Sequence, residues 1–343
     1  MKYLLSTLFV LACCKLDTLG QVTPAITYDS TSGNYLIRFQ GEGGPVEVVL
    51  EPATKLEPTI GCDVLPDAVS GRLTYSYRVR NGNSARQRLI SISVRAHAQV
   101  DDIRTPNAQW TIHKRTAQKL VTWAHTKVNP YGVLTRFNGI PPDSVETGFL
   151  FRSTGLPVIT LSYSEGAVKT ISFPEEPPLE IDSLLAPLQV FPNNSVSRET
   201  VGPKQPAEPF IIPIFLDTLL SYTRQSAELG WLGRNRDDDC DNDEKPEDGI
   251  VRNIEQRLTK AKRQLERRDS VLARRELEKL VGKVERLWKR SQDEDKKDKR
   301  DRWEKRDNVV MTSEAYALLK YNTEYLIDRL PDRKPKKSSK DKD

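Results

Sequence analysis

Histidine, cysteine and methionine are scarce: the 343 residues hold three, four and two of them. The histidines, His97, His113 and His125, all lie in the front half, and no cysteine or carboxylate pattern beside them completes a zinc site. There is no G-x-S-x-G elbow, no P-loop and no G-x-G-x-x-G after a strand. Nucleophilic serine or cysteine chemistry needs an oriented histidine, and none is identified by pattern. Catalytic residues are therefore expected to be none, and the protein is expected to be non-enzymatic. Apolar residues make up only 37% and charged residues 29% of the chain, which allots part of it to linker or solvated helix. Long apolar runs are missing too. The longest, Tyr3 to Ala12 after Lys2, is too short to span a bilayer and has the length of an export-signal core, so the signal is placed at 1–20.

Two processing routes fit that leader. Val10-Leu11-Ala12-Cys13 resembles a bacterial lipobox, which would put a lipid on Cys13; cleavage after Gly20 would instead leave Gln21 free. Either route places the remainder outside the cytoplasm, secreted or at the cell surface. With Cys13 and Cys14 in the leader, Cys62 and Cys240 remain, and export permits but does not require that they pair.

Short β-branched and aromatic runs punctuated by Gly, Pro, Asn and Asp fill residues 26–181. Leu73, Tyr75, Tyr77 and Val79 alternate with polar residues, Asn81-Gly82 supplies a turn, and Ile90, Ile92 and Val94 alternate again. That pattern predicts a hairpin with one apolar and one wet face. Further runs at 35–39, 46–50, 109–113, 119–123, 148–152, 158–163 and 168–173 predict an all-β sandwich over 21–195, with Trp110, Trp123, Phe149 and Phe151 in its core. Leu73-x-Tyr75-x-Tyr77-x-Val79-x-Asn81, the two tryptophans, Ile140-Pro141-Pro142-Asp143-Ser144 with Gly148-Phe149, and Thr200-Val201-Gly202-Pro203 together resemble the immunoglobulin-like front domain of exported bacterial proteins. Those families often carry glycine where Asp143 stands. The resemblance implies a fold and a compartment and transfers no active site.

The proline-rich stretch 196–213 reads as a linker. Beyond it the period changes. Phe215 to Ala227, Ile250 to Leu265, Leu272 to Trp288 and Ala315 to Leu330 carry apolar stripes at spacings of three and four, with Gly230 ending the first, Thr312 capping the last and Pro331 stopping it. None can bury its stripe alone, so a small all-α bundle is expected over 214–331, interrupted by an acidic loop at 234–248 and a charged insertion at 292–308, with a basic tail at 332–343. Leu229-Gly230-Trp231, Gly249-Ile250, Leu258-x-x-Ala261, Ala273-x-x-x-Leu277 and Glu314-Ala315-x-x-Leu318-Leu319 resemble the FIMAH domain, an accessory module of exported bacterial proteins. That resemblance implies attachment or spacing rather than chemistry.

Charge is unevenly shared. From Ile250 onward there are 29 basic and 19 acidic residues, leaving the front part slightly acidic. The signs are closely mixed, which argues against nucleic acid as a partner and leaves cell-envelope or extracellular polymers and proteins. One metal site can be argued from spacing. Asp237, Asp239, Asp241, Asp243 and Asp248 fall at positions 1, 3, 5, 7 and 12 of a loop, the positions from which oxygens surround Ca²⁺. Asn242 stands where such loops carry glycine, and Lys245 occupies position 9. The expected function is a binding, adhesion or spacer protein; the alternative is an extracellular polymer hydrolase using paired carboxylates on the sandwich.

Overall fold

The computed structural model describes residues 22–67, 70–125, 138–168, 172–234, 249–297 and 309–331. They divide into two compact units, one built from residues up to Pro52 with Val168–Asn194, the other from Ala53–Ala167 and Ser195 onward.

The first unit is a three-stranded antiparallel meander, β1 (Ala25–Asp29), β2 (Asn34–Gly41) and β3 (Gly44–Leu50), with helix α1 (Leu179–Gln189) on one face. Alternation explains the packing. Ile37, Phe39 and Leu50 point to one side and are sealed by Ile181 and Leu185. The β1–β2 turn closes because the Asp29 carboxylate accepts from Thr31 N–H at 2.9 Å and from Ser32 Oγ at 2.6 Å. These bonds hold its pKa below the ordinary carboxylate value. From sequence this meander is part of the sandwich; in the structure it has a core of its own.

In the second unit, strands β4 (Pro58–Pro66), β5 (Leu73–Asn81), β6 (Leu89–Arg95), β7 (Val100–Arg104), β8 (Trp110–Arg115), β9 (Leu120–His125), β10 (Ser144–Ser153), β11 (Leu156–Gly166) and β12 (Val196–Lys204) form two antiparallel sheets. Their orders are β4-β5-β10-β7 and β12-β11-β6-β9-β8. The aromatic residues expected inside are inside. Trp123 stacks on Phe151 with centroids 6.1 Å apart, Trp110 meets Phe149 edge-on at 4.8 Å, and all four are buried. Their polar tips are satisfied: Tyr75 donates to the Gly155 carbonyl at 2.8 Å, Tyr77 to Val201 at 3.0 Å and Trp123 Nε1 to Arg104 at 2.9 Å.

Two expectations are corrected. The alternating runs around Asn81-Gly82 are not a hairpin, because β5 and β6 belong to opposite sheets. The connection over residues 82–88 is too long for a two-residue turn. Its start is held by Asn81, whose amide donates to the carbonyls of Gln87 at 2.8 Å and Ile140 at 3.1 Å. Alternation reports one buried face and says nothing about which sheet supplies it. Nor is the second face of β6 wet throughout: Ser93 is buried, 2.8 Å from the Thr122 hydroxyl. The second correction concerns the linker. Residues 196–204 are a full strand, paired with β11 from Val196–Ser164 to Lys204–Leu156. As β12 is an edge strand, Pro203 costs no ladder bond there.

The expected helices form: α2 (Ile212–Glu228), α3 (Gly249–Glu266), α4 (Ser270–Lys297) and α5 (Ser313–Asp328), with a small ribbon of β13 (Leu232–Arg234) and β14 (Val309–Met311) between them. Pro213 lies in the first turn of α2, and Gly230, at φ +71°, ends it. Thr312 Oγ1 caps α5 by accepting from Ala315 N–H at 3.5 Å, and Arg274 closes the other end by donating to the Leu330 carbonyl at 3.1 Å. Leu216, Leu219, Ile254, Leu258, Leu277, Leu280 and Leu319 make the helical core. The architecture is thus a β-sandwich followed by a helical region. Among the described residues no helix is long and apolar enough to cross a membrane.

The helical region is not a separately packed body. Ala315, Leu319 and Leu326 of α5 belong to the helical core, whereas Ala317, Leu318 and Tyr321 of the same helix belong to the sandwich core. Helix α5 lies on edge strand β4 and bonds to its free backbone groups. Glu314 Oε1 accepts from Cys62 N–H at 2.6 Å and Tyr321 donates to the Val64 carbonyl at 3.0 Å. Asn322 donates to Pro157 O at 2.8 Å on β11. An edge left open invites pairing with another chain, and here one helix covers it.

Candidate binding groove

Two strand residues of β11, Leu156 and Val158, lie beside the segment that leaves β12, Lys204 to Ala207 and Pro209 to Ile211, and beside Ile214, Phe215, Thr218 and Tyr222 of α2. They enclose a groove of about 260 Å³. Its position follows from chain direction: β12 ends, the prolines hold the next residues extended, and Pro213 starts α2 at once. The lining is mostly aliphatic and aromatic. At its margin Asn322 donates to Pro157 and Leu318 and Thr218 to Ile214, Lys204 and Gln205 are exposed, and burial pushes the Tyr222 phenol up to about 12. The volume suits one large apolar side chain or a short apolar segment rather than a drug-sized ligand. At the neighbouring end Phe210, Phe215 and Tyr325 form an aromatic cluster with the Arg329 guanidinium 3.4 Å from the Tyr325 ring centroid.

The sequence-derived candidates are distributed differently. Asp237, Asp239, Asp241, Asp243 and Asp248, with Cys240 and Cys13, lie outside the described residues. Cys62 is buried and unpaired among the described residues, and burial, then the nearby Glu314, raises its thiol pKa well above the ordinary value. A thiol held protonated is a poor nucleophile. His113 and His125 lie on opposite faces of the sheet: His113 pairs with Thr122 and is exposed, whereas His125 pairs with Trp110 and is buried. His125 Nε2 meets Gln109 Oε1 at 3.0 Å, Nδ1 has no hydrogen-bond partner among the described residues, and burial lowers the ring's pKa.

Carboxylates do converge at one end of the sandwich, where alternation gave no signal. Asp67, Asp101 and Asp102 meet Arg72, Arg104 and Arg152, with Arg152 spanning Asp67 at 3.3 Å and Asp102 at 3.2 Å. The Arg104 guanidinium beside Asp102 holds its carboxyl below the usual range. Glycoside hydrolysis needs one carboxyl kept protonated near neutral pH, and a cluster matched by three guanidiniums pulls the other way. Among the described residues no group of three His, Cys, Asp or Glu is placed to hold a metal.

The contacts of Glu314, Tyr321 and Asn322 were not foreseeable from pattern. A glutamate in the first turn of a helix reads as a solvated acid, and only the tertiary fold places it on β4. No protein-family model matches the chain, and no curated protein matches it either.

Proposed function

We propose that the protein is an exported, non-catalytic accessory protein, secreted or held at the cell surface, in which the helical region is a stiff spacer mounted on the sandwich. The observation that carries this reading is the α5–β4 contact, with Glu314, Tyr321 and Asn322 tying a helix of the spacer to sandwich backbone. A spacer on a flexible linker would transmit no orientation; one sharing a core does. Support for export comes from the Tyr3–Ala12 leader, from the likeness of the front strands to immunoglobulin-like domains of exported bacterial proteins, and from the likeness of the helical stripes to FIMAH. The groove between β11 and α2 then receives an apolar segment of a protein partner, because most of its lining is aliphatic and aromatic.

Fractionation of the producing cells tests the placement: the protein is expected in the medium or on protease-accessible surface, and a cytoplasmic pool holding most of it refutes the reading. Mass measurement of the mature N-terminus then separates a lipidated Cys13 from a free Gln21. Calcium at Asp237, Asp239, Asp241, Asp243 and Asp248 rests on spacing and belongs to the same proposal. Titration calorimetry with Ca²⁺ showing no heat would remove it.

A further inference from the structure

Helices α3 and α4 carry a basic face that neither the sandwich contact nor the groove uses. Glu276, almost buried, receives Arg257 at 3.5 Å, Lys260 at 3.4 Å and Lys279 at 3.0 Å, so three cations share one carboxylate. One turn on, Lys283 is half-buried with Arg257 and Arg286 as its charged neighbours, and burial, reinforced by both guanidiniums, lowers its pKa. Among the described residues no carboxylate forms an ion pair with it. Glu285, the nearest acid along α4, leans away to Lys320 at 2.6 Å. The spacing is that of a single helix face: Leu272, Glu276, Lys279, Lys283 and Arg286 recur at three and four residues.

Leu272 begins that face and Val271 precedes it, about 100° round the helix, and both are left in solvent. Val271 and Leu272, in the first turn of α4, are 47% and 42% exposed. They stand beside exposed Arg267 and Arg268 at the α3–α4 turn, where Arg268 takes φ +58° and Asp269 Oδ1 accepts from Leu272 N–H at 3.0 Å. We infer that this hairpin face docks on an anionic lipid bilayer, with Val271 and Leu272 entering the headgroup layer and the Lys279–Lys283–Arg286 stripe facing lipid phosphates. A soluble polyanion would account for the cations but gives the apolar pair no role. Nucleic acid would be expected to meet aromatic side chains, and the nearby tryptophan, Trp288, is stacked on Tyr316 of α5 instead, with centroids 5.1 Å apart. The inference concerns a different surface from the groove and does not depend on where the protein resides.

Cosedimentation of the full chain with vesicles decides it, using phosphatidylcholine and an equal mixture of phosphatidylcholine with phosphatidylglycerol at low and high salt. Binding is expected to the anionic vesicles, to weaken with salt, and to fall about tenfold or more in a double variant Lys283→Glu, Arg286→Glu. Val271→Ser with Leu272→Ser changes two exposed positions, and is expected to keep the unfolding curve while weakening vesicle binding several-fold. Equal binding to both vesicle types overturns the inference, as does anionic binding untouched by both double variants. Absence of vesicle binding together with retention on heparin or polyphosphate also overturns it and assigns the face to a soluble polyanion.

Discussion

At Glu314 one carboxyl group joins two stretches of chain that hydrophobic periodicity assigns to different domains. Its Oε1 accepts from Cys62 N–H in a buried setting, so Glu314→Ala leaves a backbone donor without partner or water. The expected cost is about 1–3 kcal/mol, read as a lower urea midpoint; Glu314→Gln, which keeps an acceptor, is expected to lose less. His125 makes a prediction of a different kind. Burial puts its folded pKa below the unfolded value of about 6.5, so the unfolded chain binds the extra proton first as pH falls. The contribution is absent above that value and destabilises progressively below it, down to the folded pKa. Thermal unfolding from pH 8 to 5 is expected to show a fall in midpoint that His125→Asn reduces; His97, also lowered by burial, leaves a residual slope.

Elements whose residues alternate or repeat every three to four positions are legible in the sequence. The stripes from Phe215, Ile250, Leu272 and Ala315 became α2 to α5, and Gly230, Thr312 and Pro331 bound them as their chemistry requires. What stayed hidden were elements whose local composition opposes their state. Strand β4 carries Pro58, Gly61 and Pro66; β12 carries Gly202 and Pro203; β7 carries two adjacent aspartates. Edge positions tolerate them, and edge position is a property of the sheet rather than of the strand. The turn before β10 shows the reverse case. Asp143 sits at φ +54°, and its carboxylate receives Arg80 at 3.0 Å. Five residues on, Gly148 takes φ +100° at the bulge between Thr147 and Phe149, and a Cβ there would meet Pro106 Cα at 3.1 Å. Gly148→Ala is expected to destabilise by about 1–3 kcal/mol, measured by chemical denaturation, with the bulge strained rather than abolished.

For the whole molecule, the candidate site was the least legible part. The calcium spacing and Cys240 fall outside the described residues, while the groove is assembled from segments far apart in sequence, from Leu156 to Asn322. No one-dimensional period reports such assembly. What the three-dimensional arrangement adds is cohesion: α5 contributes side chains to two cores, so the sandwich and the helical region should open together. Tyr321→Phe, which removes the bond to Val64, is expected to lower the stability of both by about 0.5–1.5 kcal/mol, rather than of the helices selectively. Native-state hydrogen exchange followed by mass spectrometry across a urea series reads this directly. Peptides from β4, β5, α3 and α5 are expected to converge on one opening free energy and to shift together in Tyr321→Phe. Exchange of α3 and α5 at low urea, while β4 and β5 keep their full protection, would contradict the shared core and with it the stiff mounting.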